Sequence, residues 1–504
     1  MSCICLILSY LHQNNTHNMT PQPKFTKYLH ELKPLLEKDD DKSYNLFKIF
    51  ETFKSKRINN VFASIKTKGL STSNIFFHLI QMNILHFTVN QFTARYHSSE
   101  IGKKDTFYRM KNESGIDWRM IIYLLVGRFL YLLKTNQQEA IETPTCFICD
   151  DSTMSKRGKG IEGIGKVFDH KDHSYKLGFK GLFFSLWEGK SFIPLDFSLH
   201  SEKGKYPDKP FGLKKSEIAR QSKKSRTADT PGIQRKDELT ISKTIILIEM
   251  VKRAWKKGIH ADYLLVDSWF VDDALISFVL KSSMYLLGMC KMDKRLYDFM
   301  DKKYNARQLL NRLKRTKAKR SRKINARYYD VIVNYKGKQI KLLFSRFNNQ
   351  KDWSLLLTDN YKISFDKAVE IYQIRWSTEV FFKEAKQYLH LGKCQSADFD
   401  AQIADVSIVI CAYLMLTLRR RFQAYEGLGK IFVDVQHELI EFTLWERIYG
   451  LFLELQVSIL KKWNVDLELI MKNVIMDEAE QLFLLAILEQ QTKNLNTVDL
   501  NNAA

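Results

Sequence analysis

Apolar residues recur at three- and four-residue steps along Ile75 to Phe92 and again along Trp118 to Leu133, so residues 20–140 read as helical throughout. Between those two runs, Asp105 is placed to cap a short helix through Thr106, Phe107, Tyr108, Arg109 and Lys111, and Asp117 to cap the next. This predicts helix, turn, short basic-aromatic helix, turn, helix. Such a unit either presents Lys103, Lys104, Arg109 and Lys111 to DNA or packs as ordinary helical core.

The period then switches to two. Thr145 to Ser152 reads as a strand ending in two acids, Asp150 and Asp151, and two extended runs follow, Tyr175 to Trp187 and Ser191 to His200. Glu188, Gly189 and Lys190 join them as a hairpin turn. Ser201 to Leu239 is a long polar connection dense in lysine and arginine; a loop of that length is either disordered or used, and its charge favours contact with DNA. A helix from Thr240 to Lys257 leads to Tyr263 to Val266, a short apolar run that fills a central strand and delivers Asp267 at its carboxyl end, where open α/β sheets place ligand groups. A second helix, Val271 to Ser283, and a second short strand, Tyr285 to Cys290, complete an alternation that implies parallel strands.

Residues 294–360 have the look of an insertion: a basic run from Arg312 to Lys323, then extended stretches at Tyr328 to Tyr335, Gln339 to Phe344 and Trp353 to Thr358. One helix is predicted from Phe365 to Leu389, and helical periodicity returns from 400 to about 491. The expected fold class is α/β.

Composition narrows the function. A chain of 504 residues with 45% hydrophobic residues can bury a large core in two to four structural units, and a formal net charge of +23 implies a polyanionic partner, with nucleic acid foremost. A basic membrane-surface protein would also carry an amphipathic basic helix or a lipidation signal, and neither is found. The longest apolar run, Val406 to Leu418, is too short for a membrane span and reads as a buried helix. The apolar stretch Cys3 to Leu8 lacks the flanks of a secretion signal, so a cytoplasmic location is expected; Met19 is an alternative start. Seven scattered cysteines argue for a reducing compartment. Cys146 and Cys149 form a lone CxxC within a strand, and His170 and His173 an HxxH in a polar turn; both read as structural.

On the helix from Phe365, Tyr372, Arg375, Glu379, Lys383 and Lys386 share one stripe, so one acid is framed by bases. A solvated salt-bridge face would explain the stripe blandly. The spacing Tyr-x2-Arg-x3-Glu-x6-Lys, however, resembles the signature that closes the catalytic domain of the insertion-sequence-4 group of DDE transposases. The resemblance runs from about Phe147 to Lys386, and more loosely from Asp105 to Arg128.

That resemblance implies an RNase H-like catalytic core, a mixed sheet with flanking helices, built from residues 141–293 and completed by a catalytic helix at 361–400. The basic, β-rich insertion at 294–360 interrupts it, with a helical N-terminal region (1–140, DNA binding) and a helical C-terminal region (401–504, protein contacts). It implies a triad of Asp151, Asp267 and Glu379 holding two Mg²⁺ ions, with Mn²⁺ as a substitute, and Tyr372, Arg375, Lys383 and Lys386 on the transposon-end DNA. Asp150 stays a rival to Asp151, because alternation cannot choose between adjacent acids at a strand end; the family's acid-Asp-Ser/Thr-Thr pattern favours Asp151. Asp267 is followed by Ser268, Trp269 and Phe270, a departure from the family's usual motif, so its assignment rests also on its strand. The implied function is cut-and-paste transposition by a homodimer in a synaptic complex on double-stranded DNA. A domesticated DNA-binding protein without catalysis and a nuclease without strand transfer are the alternatives.

Overall fold

A computed structural model describes residues 56–63, 70–95, 102–136, 143–204, 206–348, 351–422 and 428–436. Nearly all of them belong to one compact unit, Leu46–Thr93 with Lys103–Val433. The expectations for residues 20–55 and for most of the chain beyond 422 lie outside the described residues.

The unit opens with helices α1 (Lys56–Ala63), α2 (Thr72–Ile84), α3 (Val89–Arg95), α4 (Lys104–Lys111) and α5 (Trp118–Asn136). Asp117 Oδ1 accepts from the Met120 amide at 2.9 Å and caps α5 as the sequence predicts, whereas Asp105 lies inside the first turn of α4. Next come β1 (Cys146–Ser155), β2 (Gly165–Asp169), β3 (Ser174–Trp187), β4 (Phe192–His200), α6 (Lys215–Ala219), α7 (Pro231–Asp237), α8 (Lys243–Lys256), β5 (Tyr263–Val266), α9 (Asp273–Val279) and β6 (Tyr285–Cys290). The chain continues through β7 (Leu296–Phe299), β8 (Lys302–Asn305), α10 (Ala306–Leu313), β9 (Lys319–Ser321), β10 (Ala326–Tyr335), β11 (Lys338–Phe347) and β12 (Ser354–Thr358). It closes with α11 (Phe365–Gln373), α12 (Trp376–Tyr388) and α13 (Phe399–Phe422).

All of these strands join one mixed sheet, in the order β2-β3-β1-β5-β6-β12-β11-β10-β7-β8, with β4 on β3 and β9 on β10. β1 is antiparallel to β3 and parallel to β5, and β5 is parallel to β6, as the β-α alternation requires. The β3-β4 hairpin turns at Gly189, whose φ of 112° suits glycine, and Glu188 Oε1 accepts from the Ser191 amide at 2.8 Å.

Three expectations change. Residues 294–360 are not set apart from the core: β12 pairs antiparallel with β6, so the segment prolongs the central sheet. The helix read from Phe365 to Leu389 is two helices, parted at Ile374 and Arg375. There the amides of Arg375, Ser377 and Thr378 bond three residues back, and Ser377 Oγ donates to the Ile374 carbonyl at 2.7 Å, competing for the acceptor that a straight helix would use. Finally, the described part of the 201–239 connection is held by ion pairs to the rest of the unit. Lys224 pairs with Asp398 and Asp400, Arg226 with Glu162 and Asp400, and Lys236 with Glu162, so these bases neutralise internal acids and are not free for DNA.

Helix α13 is the core of the helical layer, packed by α2, α4, α5 and β4. It is apolar and long enough to cross a membrane on length and composition alone, yet 94% of that window is buried inside the protein. Lys111 of α4 is drawn into this layer. Burial opposes its charge, but Asp405 at 2.7 Å outweighs burial and holds its pKa above the usual lysine range, leaving Lys103, Lys104 and Arg109 as the exposed bases of that segment.

Candidate active site

Asp150 and Asp151 are adjacent in β1, so their side chains leave opposite faces of the sheet. Cross-strand register fixes which faces these are: Asp150 stands opposite Phe183, whose ring meets Phe381 and Phe382 of α12, while Asp151 stands opposite Leu182. Asp150 therefore faces the α11-α12 break. Arg375, at the break, donates to Asp150 Oδ2 at 2.5 Å and lies 3.9 Å from Glu379 Oε1. Asp267 follows directly on β5, the parallel neighbour of β1, and accepts the Trp269 amide on Oδ1 at 2.9 Å.

The electrostatics identify which acids share a site. Asp150 is pushed up to about 7, first by burial and then by the charges of Asp267 and Glu379, with Arg375 only partly offsetting them. Asp151 behaves oppositely. Burial would raise it, but Lys243 at 2.5 Å and Lys180 at 3.3 Å outweigh burial and hold it below the usual range. The structure thus brings Asp150, not Asp151, together with Asp267 and Glu379.

Of the remaining stripe residues, Tyr372 is half-buried and Lys386 exposed, yet each bonds back to the strands. The Tyr372 hydroxyl donates to the Val266 carbonyl at 3.3 Å, at the end of β5, and burial raises its pKa to about 12. Lys386 Nζ donates to Ser152 Oγ at 2.6 Å, one alternation beyond Asp150 on β1. Tyr372, Arg375 and Lys386 thus tie the helix pair to β1 and the end of β5. Lys383 is exposed, as is Trp376 at 65%.

Sequence reasoning passed over Lys180 and Lys243. Lys243 is 8% exposed, opens α8 against the helix dipole, pairs with Asp151 and sits 3.8 Å from the centroid of the Trp269 ring. A lysine in a first helical turn that already has a serine before it was the one available signal.

Whether the acids suit divalent metal is a question of donor chemistry. Three carboxyl groups stand against one guanidinium, and hard oxygens are the donors that Mg²⁺ prefers. Burial first, and then the charges of Asp267 and Glu379, keep the pKa of Asp150 raised despite Arg375. Among the described residues no three acids, histidines or cysteines are gathered in ligating range; Arg375 holds one oxygen of Asp150 and the Asp151 amide the other at 2.8 Å. The donor chemistry fits, although the three acids stand apart in this structure. CxxC offers nothing comparable: Cys146 and Cys149 are buried free thiols with pKa values raised by burial.

A mixed α/β fold whose acids converge beside two parallel strands is consistent with a DDE nuclease. The family described as DDE superfamily endonuclease matches residues 87–322, and that described as Transposase DDE domain matches residues 237–415. Together they support a DDE transposase and imply an enzyme that cleaves nucleic acid. No curated protein matches the chain.

Proposed function

We propose that this chain is an active cut-and-paste transposase, which hydrolyses transposon ends and joins the freed 3′ hydroxyls to target DNA, with Asp150, Asp267 and Glu379 as its carboxylates. The observation that carries the reading is the convergence of an acid from β1, an acid from the end of β5 and an acid from α12 on the guanidinium of Arg375. Placement within the insertion-sequence-4 group rests on the Tyr372, Arg375, Glu379 and Lys386 spacing. An RNase H-like core is supported by the strand order β4-β3-β1-β5-β6, antiparallel on one side of β1 and parallel on the other. Double-stranded DNA, a homodimer at synapsis and action in the cytoplasm complete the proposal.

Asp150, Asp267 and Glu379 would hold the Mg²⁺ or Mn²⁺ ions, which when bound activate the attacking oxygen and stabilise the leaving 3′ oxygen. Arg375 partly offsets the acids while they are metal-free, and once displaced from Asp150 it offers a planar fork for a DNA phosphate. Burial opposes the charge of Arg375, but Asp150 first among its neighbours outweighs burial, so it stays protonated throughout.

The test is Mg²⁺-dependent cleavage of a labelled transposon end. Asp150→Asn, Asp267→Asn and Glu379→Gln should each abolish cleavage and keep end binding, while Asp151→Asn should cleave at the cost of stability, since it leaves Lys180 and Lys243 short of a partner. A folded Asp151→Asn that is inactive beside an active Asp150→Asn would return the first acid to Asp151. The grip of Arg375 on Asp150 favours a second reading, a DNA-binding protein without catalysis. Wild-type chain that binds ends yet never cleaves them with either metal would establish that reading.

A further inference from the structure

Asp151, which leaves the sheet on the face opposite Asp150, carries two lysines where one would balance it. Lys180 Nζ lies 3.3 Å from Asp151 Oδ1 and Lys243 Nζ 2.5 Å from Oδ2, and both lysines are buried. The second ammonium is therefore an excess charge, set where burial and the positive end of α8 both oppose it. Among the described residues Lys243 has no other acid: it pairs with Asp151 alone. His200, beside it, stays neutral, its pKa brought down to about 4 first by burial and then by the charge of Lys243.

What the excess charge meets is an aromatic face. Lys243 Nζ sits 3.8 Å from the centroid of the Trp269 ring and 6.0 Å from that of Phe270, and the two rings meet edge-on at 5.0 Å. A cation on an indole face is attracted more strongly where water is shut out, as it is around Lys243. The Trp269 ring is 41% exposed, so the ammonium, and not burial alone, fixes it. The same residue orients Asp267. The Trp269 amide donates to Asp267 Oδ1 at 2.9 Å and the Phe270 amide to the Asp267 carbonyl at 3.3 Å, closing a turn that sets where the carboxylate points. Contacts thus run from Asp151 through Lys243 and Trp269 to Asp267, and Asp151 is the neighbour of Asp150 on β1.

We propose that Lys243 is a positioning residue for the carboxylate site: clamped on Asp151, its ammonium holds the Trp269 ring and so fixes the turn from which Asp267 presents its carboxylate. The strand that carries one acid is thereby tied to the turn that carries another. Lys243 acts through Trp269 and is not itself a ligand. The inference rests on the reading of Asp150 and Asp267 as metal-binding acids.

The experiment compares the full chain with Lys243→Met, Lys243→Arg and Trp269→Leu in two measurements. Hydrogen exchange of the 267–270 amides in chelator reads the clamp by itself. The Mn²⁺ concentration for half-maximal cleavage of a labelled transposon end reads its effect on the acids. In Lys243→Met and Trp269→Leu, exchange in that segment should quicken about tenfold and stay unchanged elsewhere. Half-maximal Mn²⁺ should rise about tenfold in the same two variants, with the rate at saturating Mn²⁺ near that of wild type. Lys243→Arg, which keeps a cation over the ring, should restore both values. Unchanged exchange in both variants would overturn the clamp, and faster exchange with an unchanged Mn²⁺ requirement would overturn the positioning role. Weaker end binding by Trp269→Leu in chelator, at an unchanged Mn²⁺ requirement, would place the ring on DNA and overturn it too. Failure of the underlying reading looks different: Asp267→Asn would cleave as wild type does, or wild type would not cleave, which removes the site to be positioned and leaves the exchange result standing. Lys243→Met leaves Asp151 balanced by Lys180, and Trp269→Leu alters an exposed ring, so either variant decides the matter where the other folds poorly.

Discussion

Two buried charge centres sit on the same sheet and are balanced in opposite senses. Asp196 on β4 is fully buried, and burial would raise its pKa, yet Arg119, Arg253 and Arg235 overwhelm burial and bring it to about 2. Asp150 on β1 is nearly as buried but has one arginine and two acidic neighbours, and it rises to about 7. Burial is common to both, so the number of cations decides. The Asp196 centre is complete within the chain as regards its acids and fastens α5, α7 and α8 to β4. The Asp150 centre is short of positive charge, as a site that receives a cation from outside must be.

The contrast breaks most visibly at Asp196. Asp196→Asn strips the shared partner from three arginines and should cost about 3–5 kcal/mol in denaturant unfolding, whereas Asp150→Asn should cost about 1 kcal/mol or less. Equal losses in the two variants would erase the distinction. Next in size is the response to pH in chelator. Asp150 has a folded pKa raised from 3.8 to about 7, so the stability it contributes is complete below 3.8 and is lost as pH rises through about 7. Asp196 has a folded pKa lowered from 3.8 to about 2, so its contribution is present above 3.8 and is lost as pH falls through about 2. Unfolding followed across that range should show both slopes, and Asp150→Asn should remove only the upper one; an unchanged upper slope would take the proton off Asp150. The smallest effect is at Tyr372. Tyr372→Phe should cost about 0.5–1.5 kcal/mol for the bond to Val266 and leave cleavage of a bound end near normal. A large cleavage defect at unchanged stability would move Tyr372 from positioning the helix to touching DNA.

Much of the fold was legible because it is written locally. The runs Tyr263–Val266 and Tyr285–Cys290 emerge as strands with those bounds, and Glu188-Gly189-Lys190 turns the hairpin between β3 and β4. What escaped depends on partners far along the chain. Lys224 and Arg226 read as bases for DNA until Asp400, 176 and 174 residues on, is seen to take them. Asp150 and Asp151 differ only in which face they leave, and that is set by the register with β3 and by Arg375, 225 residues from Asp150. The stripe from Tyr372 to Lys386 was visible as a stripe, but periodicity does not say whether a polar face meets solvent or a sheet. The break at Ile374 was carried by Ser377, whose side chain competes with helical bonding and which a stripe of charges overshadowed.

The wide chain separation of Asp150 from Arg375 also bears on biosynthesis. As the chain leaves the ribosome, β1 and β5 can pair long before α12 exists, because the whole stretch from β6 to β12 must be made in between. During that interval Asp150 and Asp267 are present without Glu379 and without Arg375. On the proposed reading, the half-made chain therefore lacks its third carboxylate, and the set is complete only when the final helices close over a sheet already laid down.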